Sequence, residues 1–308
     1  MGRYVARRLL QMIPVFIGTT LLIFLMVHIL PGDPIRAMWG DKAADPAQVA
    51  QLRHDFGLDQ PLWKQYLDYM ANLFQGDFGE TFGGRPVIDE MTRAFPVTLR
   101  LTAVALLIEM IVGLGLGAWA GLKAGKAPDS GVLVFTLIVI SIPVFILGYL
   151  ARYLFADTLG WVSPNVQDSM DVTQLFLPGF VLAMLSMAYV ARLTRTTFAE
   201  NLRADYMRTA LAKGLPRRRI VGVHLLRNSL IPVITFLGTD VGGFIGGAVV
   251  TEGIFNVQGV GNLLYQALGQ REGSTIVGVV TVFVLVILVI NLIVDLLYAV
   301  LDPRIRYA

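Results

Sequence analysis

Two carboxylates lie inside apolar runs, where an acid group could bind a cation or pass a proton. Glu109 lies near the middle of the run from Val97 to Leu122, and Asp240 near the middle of the run from Ser229 to Val250. An ionised carboxylate in a bilayer is costly unless it is paired or hydrated, so both should face the protein interior or a water-filled path. A structural role, with each acid fixed by hydroxyls of a neighbouring helix or kept neutral by desolvation, is equally open.

Other chemistry has little support. The chain has no cysteine, which excludes disulfides, cysteine-ligated zinc and a thiol nucleophile, and its 3 histidines are widely scattered. No Gly-x4-Gly-Lys-[Ser/Thr] phosphate loop occurs, because the nearest approach, at 120–127, lacks the leading glycine and the hydroxyl residue. His-Glu-x2-His and Gly-x-Ser-x-Gly motifs are absent as well. We therefore expect a non-catalytic chain that binds neither ATP nor a metal ion.

The elements that position the two acids are long apolar segments. Of the 308 residues, 55% are apolar and only 15% are charged, against about a quarter charged in a soluble domain. The run from Leu9 to Leu30 would rise about 33 Å as a helix, and no small-residue cleavage site follows it, so a retained span is favoured over a signal peptide. Five further runs follow at about 97–122, 131–155, 174–192, 229–250 and 276–300. The sequence thus predicts an all-α polytopic membrane protein with six transmembrane helices.

Lysine and arginine in the connecting segments predict the orientation, because short loops rich in them stay in the cytoplasm. Three bases precede the first span, Lys123 and Lys126 follow the second, and eight lie between Arg195 and Arg227 after the fourth. The segment 156–173 has none, and 251–275 has only Arg271. Both termini are therefore predicted to be cytoplasmic. This topology explains the net charge of +3 better than nucleic-acid binding does.

The segment 31–96 is predicted to be external and partly helical. It contains ten acids and six bases, and helix formers with spaced apolar residues occupy 48–55 and 62–74. It is too short to enclose a ligand by itself, so a separate capture protein would supply ligand specificity. The predicted parts are 1–30 (amino-terminal segment and first span), 31–96 (external loop) and 97–308 (core), with a cytoplasmic loop at about 193–228.

Glycines recur every fourth residue in two of the spans and place small residues on one helix face. The rows are Gly113, Gly117, Gly121 in the second span and Gly238, Gly242, Gly246 in the fifth. Close backbone approach is a main source of packing energy between helices in lipid, so tight packing is the favoured interpretation. The alternative is that these faces slide or line a path.

The loop after the fourth span has the clearest pattern. Phe198, Leu202, Tyr206 and Ala210 repeat at four-residue spacing, which predicts a short amphipathic helix. Gly214 can end it, and a second helix can begin at Pro216 and run towards Asn228. This basic element could lie on anionic headgroups, or it could insert into a groove of a soluble partner with its small residues allowing close approach.

At this loop the sequence resembles the permease subunits of binding-protein-dependent ABC importers of the dipeptide, oligopeptide and nickel class. The motif is Tyr206-Met-Arg208-Thr209-Ala210-Leu-Ala212-Lys213-Gly214-Leu215, followed by His224-Leu-Leu-Arg227-Asn228-Ser-Leu-Ile-Pro232. In the broader permease pattern, Glu-Ala-Ala is replaced here by Arg208-Thr209-Ala210 and Arg227 occupies the proline position. This is the peptide-class variant.

Further matches cover nearly the whole chain. They are Arg7-Arg8, Leu30-Pro-Gly-Asp-Pro34, Gly76-Asp-Phe-Gly79, Pro96-Val-Thr98-Leu99, Thr251-Glu252-Gly-Ile-Phe255, Gly259-Val-Gly261, Val294-Asp-Leu-Leu-Tyr298 and Asp302-Pro-Arg-Ile-Arg306. The set is most similar to the first, B-type permease of a dipeptide system. Gln258 and Gly273 depart from the family's usual residues in the loop near the gate.

The resemblance implies a type I ABC importer permease fold in a prokaryotic cell membrane. It implies four kinds of partner: a second, homologous permease, two ABC ATPases, an extracytoplasmic substrate-binding protein and the lipid bilayer. ATP and magnesium would be bound by the ATPases. Contact with the ATPases is assigned to Tyr206, Arg208, Thr209, Ala210, Lys213, Gly214 and Leu215. Transport would proceed by alternating access, with the path or gate at Glu109, Asp240, Glu252 and Gly259.

Several alternatives stay open at this stage. An ion-coupled secondary transporter or channel would use Glu109 and Asp240. A non-transporting membrane scaffold would use the basic cytoplasmic helices. Within the importer class, nickel, haem or glutathione could replace peptide as the substrate.

Overall fold

The computed structural model describes residues 2–29, 46–55 and 58–301 of the chain. The predicted motifs at Leu30–Pro34 and Asp302–Arg306, and the predicted cytoplasmic tail, lie outside these ranges. Helices make up most of the described residues, and within them the strand-like pairing is an isolated bridge between Glu80 and Pro86.

Eleven helices organise the described residues. They are α1 Gly2–Ile29, α2 Pro46–Asp55, α3 Leu62–Phe74, α4 Val87–Leu122, α5 Ala127–Ser141, α6 Val144–Thr158, α7 Phe176–Leu202, α8 Asp205–Ala212, α9 Ile220–Phe255, α10 Val260–Gln270 and α11 Gly273–Leu301. A helical turn at Arg217–Arg219 runs directly into α9. Five of these helices, α1, α4, α7, α9 and α11, are long and apolar enough to cross a bilayer, and α5 with α6 forms a sixth span if the two cross together.

Two predicted spans differ from the structure in form. The second begins at Val87, ten residues before the predicted start, and passes through Pro96. Pro96 lacks a backbone N–H and so removes one helical hydrogen bond. Burial of Val87 and Met91 stabilises the helix before Pro96 despite that loss. The predicted third span is broken, because α5 and α6 meet at 103°. Ile142, which precedes Pro143, is held in an extended conformation that ends α5.

The described residues form two compact units. The first comprises the described residues of 1–98 and 258–308, where α1 packs on α11 and the segment after α3 lies against the start of α11. A Cβ placed on Gly278 would lie 3.0 Å from the Phe78 carbonyl oxygen, so the segment after α3 approaches α11 closely at a glycine.

The second unit comprises 99–257 and is built around α7. The later part of α4, together with α5, α6 and α9, packs on α7, whose Val181, Ala183 and Ala188 are fully buried. Small buried residues on a central helix allow several neighbours to approach it together.

Candidate functional site

The loop between α7 and α9 forms a compact helical element rather than one continuous helix. The α7 helix ends at Leu202, Ala204 is extended, and α8 begins at Asp205. Because the helix is interrupted here, residues before and after the break no longer follow one four-residue spacing. The predicted stripe from Phe198 to Ala210 therefore does not lie on a single helix. The predicted second helix also continues further than expected, since the turn at Arg217–Arg219 joins α9 without a gap.

A buried apolar cluster fixes α8 against the two long helices. It consists of Phe198 from α7, Met207 and Ala210 from α8, and Ile220 and Leu225 from α9. Met207 is 2% exposed, whereas Tyr206, which the sequence pattern assigned to the stripe, is 37% exposed. The sequence interpretation therefore missed Met207. Met207 precedes Ala210 by three residues, and residues at this spacing lie on the same face of α8. That spacing was the sequence signal that could have identified Met207.

The outer surface of α8 carries most of the residues predicted to contact the ATPases. Tyr206, Arg208, Thr209 and Lys213 are exposed. Tyr206 donates its hydroxyl proton to Asn201 Oδ1 at 2.6 Å, and the Thr209 hydroxyl donates to the Asp205 carbonyl at 3.0 Å. Two predicted contact residues lie on the other side, because Ala210 is buried and Leu215 packs on the cluster. The predicted contact residues therefore fall into two groups: exposed residues on the outer surface, and residues that pack beneath them on the apolar cluster.

Gly214 closes this element through its backbone conformation. Its φ is +70°, in the left-handed region that favours glycine, and its N–H donates to the Leu211 carbonyl at 2.9 Å. A Cβ at this position would meet nothing within 4 Å. Within this chain, glycine is therefore favoured at position 214 by its backbone conformation and not by lack of space. The surface beside Gly214 is open.

An ion pair just beside this element was missed by the sequence analysis. Arg195 on α7 donates from Nε and Nη2 to the two carboxylate oxygens of Asp129 on α5, at 2.7 Å each. Asp129 also accepts the Gly125 N–H at 2.8 Å, and its side chain is only 4% exposed. These bonds join the 123–126 loop to the end of α7. The sequence showed only an acid and a base near the ends of two spans.

The two predicted glycine rows behave differently. A Cβ on Gly117 would lie 2.5 Å from the Ala191 carbonyl oxygen, and one on Gly121 would lie 2.6 Å from Phe198 Cβ. At these positions α4 meets α7 so closely that there is no room for a side chain. In the other row, a Cβ on Gly246 would meet nothing within 4 Å among the described residues. Gly246 therefore makes no close packing contact with the part of the chain that the structure describes, whereas Gly242 in the same row is buried.

Glu109 and Asp240 come together in the second unit. Glu109 opens a π-helical turn of α4, Glu109–Gly113, and is fully buried. Asp240 is half-buried, and it is the carboxyl group that interacts with Glu109. Neither Glu109 oxygen has a hydrogen-bond partner among the described residues, and the same holds for Asp240 Oδ2. Two adjacent carboxylates would repel one another if both were ionised.

The other two predicted gate residues lie in different units. Glu252 is fully buried in the last turns of α9, and its carbonyl accepts the Val257 N–H at 2.9 Å. Gly259 precedes α10 in an extended conformation, and its carbonyl accepts the Leu263 N–H at 3.1 Å. Neither residue carries an exposed polar side chain.

Comparison with known proteins gives this arrangement a family. Residues 113–307 match the binding-protein-dependent transport system inner membrane component family, and residues 1–102 match the amino-terminal part of such a membrane component. The chain belongs to this permease family. The resemblance predicted from the loop motif is confirmed, and so are a helical permease fold and a multi-pass location in the membrane.

Relatives of this permease match it along its whole length. A di/tripeptide transport system permease, DppB of Pseudomonas aeruginosa, is 41% identical over 99% of the chain and 98% of its own length. The glutathione transport system permease GsiC of Escherichia coli K12 is 40% identical over all of both chains. GsiC of Salmonella typhi is 39% identical, again over the full length of both. The permease is thus a transport subunit of a binding-protein-dependent importer.

Proposed function

We propose that this permease forms half of the translocation path of an ATP-driven importer of di- and oligopeptides. It would act with a second, homologous permease, two ABC ATPases and an extracytoplasmic substrate-binding protein. The observation that carries the proposal is the α8 element, whose inner side packs on the long helices while its outer side is exposed.

The packing of α8 provides a way to transmit force. Met207 and Ala210 contact the cluster that includes Phe198 of α7 and Leu225 before the apolar part of α9. Because a close-packed cluster has low compressibility, a displacement of α8 shifts both helices instead of being absorbed locally. Closure of an ATPase pair against Tyr206, Arg208, Thr209, Lys213 and Gly214 would therefore reach the membrane-spanning helices.

The energy source would lie on the partners. The sequence has no phosphate loop, so ATP and magnesium would be bound and ATP hydrolysed by the ATPase subunits. This chain would contribute no catalytic residue.

The choice of substrate rests on the relatives. Their names specify di/tripeptides and glutathione, which are both short peptides with a free carboxylate and an amino group. We take di- and oligopeptides as the substrate class, and glutathione is the second candidate. Since the binding protein selects the substrate in such a system, the permease would accept several peptides.

The first experiment is co-purification of the tagged chain from its native membrane, followed by ATP hydrolysis in lipid with and without peptide-loaded binding protein. We expect a second permease and two ATPases to be recovered, and hydrolysis to rise with the loaded binding protein. Recovery of the chain alone, with no ATPase activity, would contradict the proposal.

The coupling surface is tested by Gly214→Arg with Gly125→Arg as the matched control. Both glycines have positive φ, +70° and +79°, and a Cβ at either position meets nothing within 4 Å. The two variants therefore carry similar backbone strain. We expect Gly214→Arg to abolish peptide uptake while the chain still reaches the membrane, and Gly125→Arg to retain most of it. Equal uptake by the two variants would exclude the coupling role of Gly214.

A further inference from the structure

We propose that α3 lies in the membrane interface on the side away from the amino terminus, with Trp63, Leu67 and Phe74 inserted among lipid acyl chains. These three residues are called the α3 apolar stripe below. The inference concerns the segment between the first two spans and does not depend on which solute is transported.

Three kinds of side chain occupy three sectors of α3. Tyr66, Tyr69 and Leu73 are half-buried and form the sector that faces α1 and α11. The α3 apolar stripe lies in the next sector, and its members are 67%, 57% and 83% exposed. The polar residues Lys64, Asp68, Asn72 and Gln75 occupy the remaining sector and are also exposed. At about 100° per residue, this is the pattern of a helix with protein, lipid and water on successive sides.

Contacts with α1 indicate the depth at which α3 lies in the membrane. The Phe24 ring lies 5.5 Å from the Tyr66 ring and 6.4 Å from the Tyr69 ring, measured between centroids. Phe24 is five residues from the end of α1 at Ile29, or about 8 Å along the helix. The Tyr66 hydroxyl reaches further, to Thr20 Oγ1 at 3.0 Å, and this position is about 13 Å from the same end.

A contact with α11 indicates the same depth for α3 independently. The Tyr69 hydroxyl lies 2.6 Å from Thr281 Oγ1 on α11. Thr281 is eight residues from the start of α11 at Gly273, or about 12 Å along the helix. Both tyrosines therefore point towards the bilayer centre from a helix that lies near the ends of α1 and α11.

This depth identifies what covers the α3 apolar stripe. The apolar spans within α1 and α11, Val5–Ile29 and Gly273–Leu296, are about 38 Å and about 36 Å long, which exceeds the hydrocarbon thickness of about 30 Å by about 3–4 Å at each end. Side chains at the level of Phe24 are thus inside the hydrocarbon boundary. Tryptophan is enriched at the boundary between hydrocarbon and headgroups, which agrees with Trp63 on a helix near the ends of the two spans.

The buried hydroxyls are consistent with a position in the hydrocarbon. Tyr66 and Tyr69 each have a threonine hydroxyl as a partner, so neither polar group is left without a hydrogen bond at depth. A hydrogen-bonded phenol is compatible with an apolar environment.

The absence of cysteine makes a direct test possible. Single cysteines are introduced at two adjacent pairs, Leu67→Cys with Asp68→Cys and Phe74→Cys with Gln75→Cys, and each is spin-labelled in the assembled importer in lipid bilayers. Cysteines in the partner subunits are replaced beforehand. Relaxation of each label is measured with molecular oxygen, which concentrates in hydrocarbon, and with a water-soluble nickel chelate.

We expect labels at Leu67→Cys and Phe74→Cys to respond to oxygen more than to the chelate, and their neighbours at Asp68→Cys and Gln75→Cys to show the reverse. If the chelate relaxes all four labels, the stripe faces water and the proposal is wrong. If both reagents fail at Leu67→Cys and Phe74→Cys, a protein partner covers the stripe, which also overturns it. Neither result bears on peptide uptake, so the proposed function is tested separately.

Discussion

Arg195 and Asp129 form a two-point ion pair, with both N···O distances at 2.7 Å, between residues 66 positions apart in the chain. The pair ties the start of α5 to the end of α7, which runs into the break before α8. The carboxylate is almost completely buried, while the guanidinium is 27% exposed. This asymmetry makes the two partners unequal in a mutational test.

We expect Arg195→Leu to destabilise the permease more than Asp129→Asn. The first change leaves a buried carboxylate without its cation, and breaking a buried ion pair in this way costs about 3–5 kcal/mol. The second leaves a charged group that can still reach water. Thermal unfolding of the assembled complex in lipid measures the difference. A larger loss for Asp129→Asn would contradict this assignment.

Met207→Ala is expected to uncouple ATP hydrolysis from uptake. Removing this buried side chain opens a cavity under α8, with a cost of about 2–5 kcal/mol for a fully buried methionine. Leu211→Ala on the same helix is the control for stability, because Leu211 is 64% exposed. The ratio of peptide transported to ATP hydrolysed should fall for Met207→Ala. An unchanged ratio with a lowered unfolding temperature would limit Met207 to a structural role.

Gly117→Ala should disturb the contact between α4 and α7, whereas Gly115→Ala should not. A Cβ at Gly117 would lie 2.5 Å from a backbone oxygen, so the helices would have to separate. Gly115 is on the same helix, and a Cβ there meets nothing within 4 Å. Unfolding temperature and membrane yield of the two variants provide the comparison. Equal unfolding temperatures and membrane yields would show that the packing of α4 on α7 does not depend on a glycine at position 117.

Glu109→Gln is expected to retain uptake. The amide has nearly the same volume as the acid, and its N–H₂ can donate to Asp240, which removes the repulsion between two carboxylates. Uptake is measured with ATP present and with the proton gradient collapsed. Loss of uptake in a folded, assembled Glu109→Gln complex would favour the ion-coupled alternative, in which the acid itself must exchange a proton.

Hydrophobic patterning predicted the spans because their length is set by the bilayer. The six apolar regions coincide with helices in the structure, and the third forms a pair of helices bent by 103°. The bend at Ile142-Pro143 was within reach of the sequence, since a residue before proline disfavours helix. The early start at Val87 was not, because a proline nine residues later normally suggests that a helix begins there.

The sequence by itself determined the apolar spans, the glycine at 214 and the family motif around it, since each depends on local composition or on residues close together in the chain. Only the tertiary structure decided that Met207 supports α8 while Tyr206 is exposed, and that Arg195 pairs with Asp129. The phase of α8 is set by its packing on α7 and α9. The ion pair depends on bringing two helix ends together, and no local pattern encodes such a long-range distance.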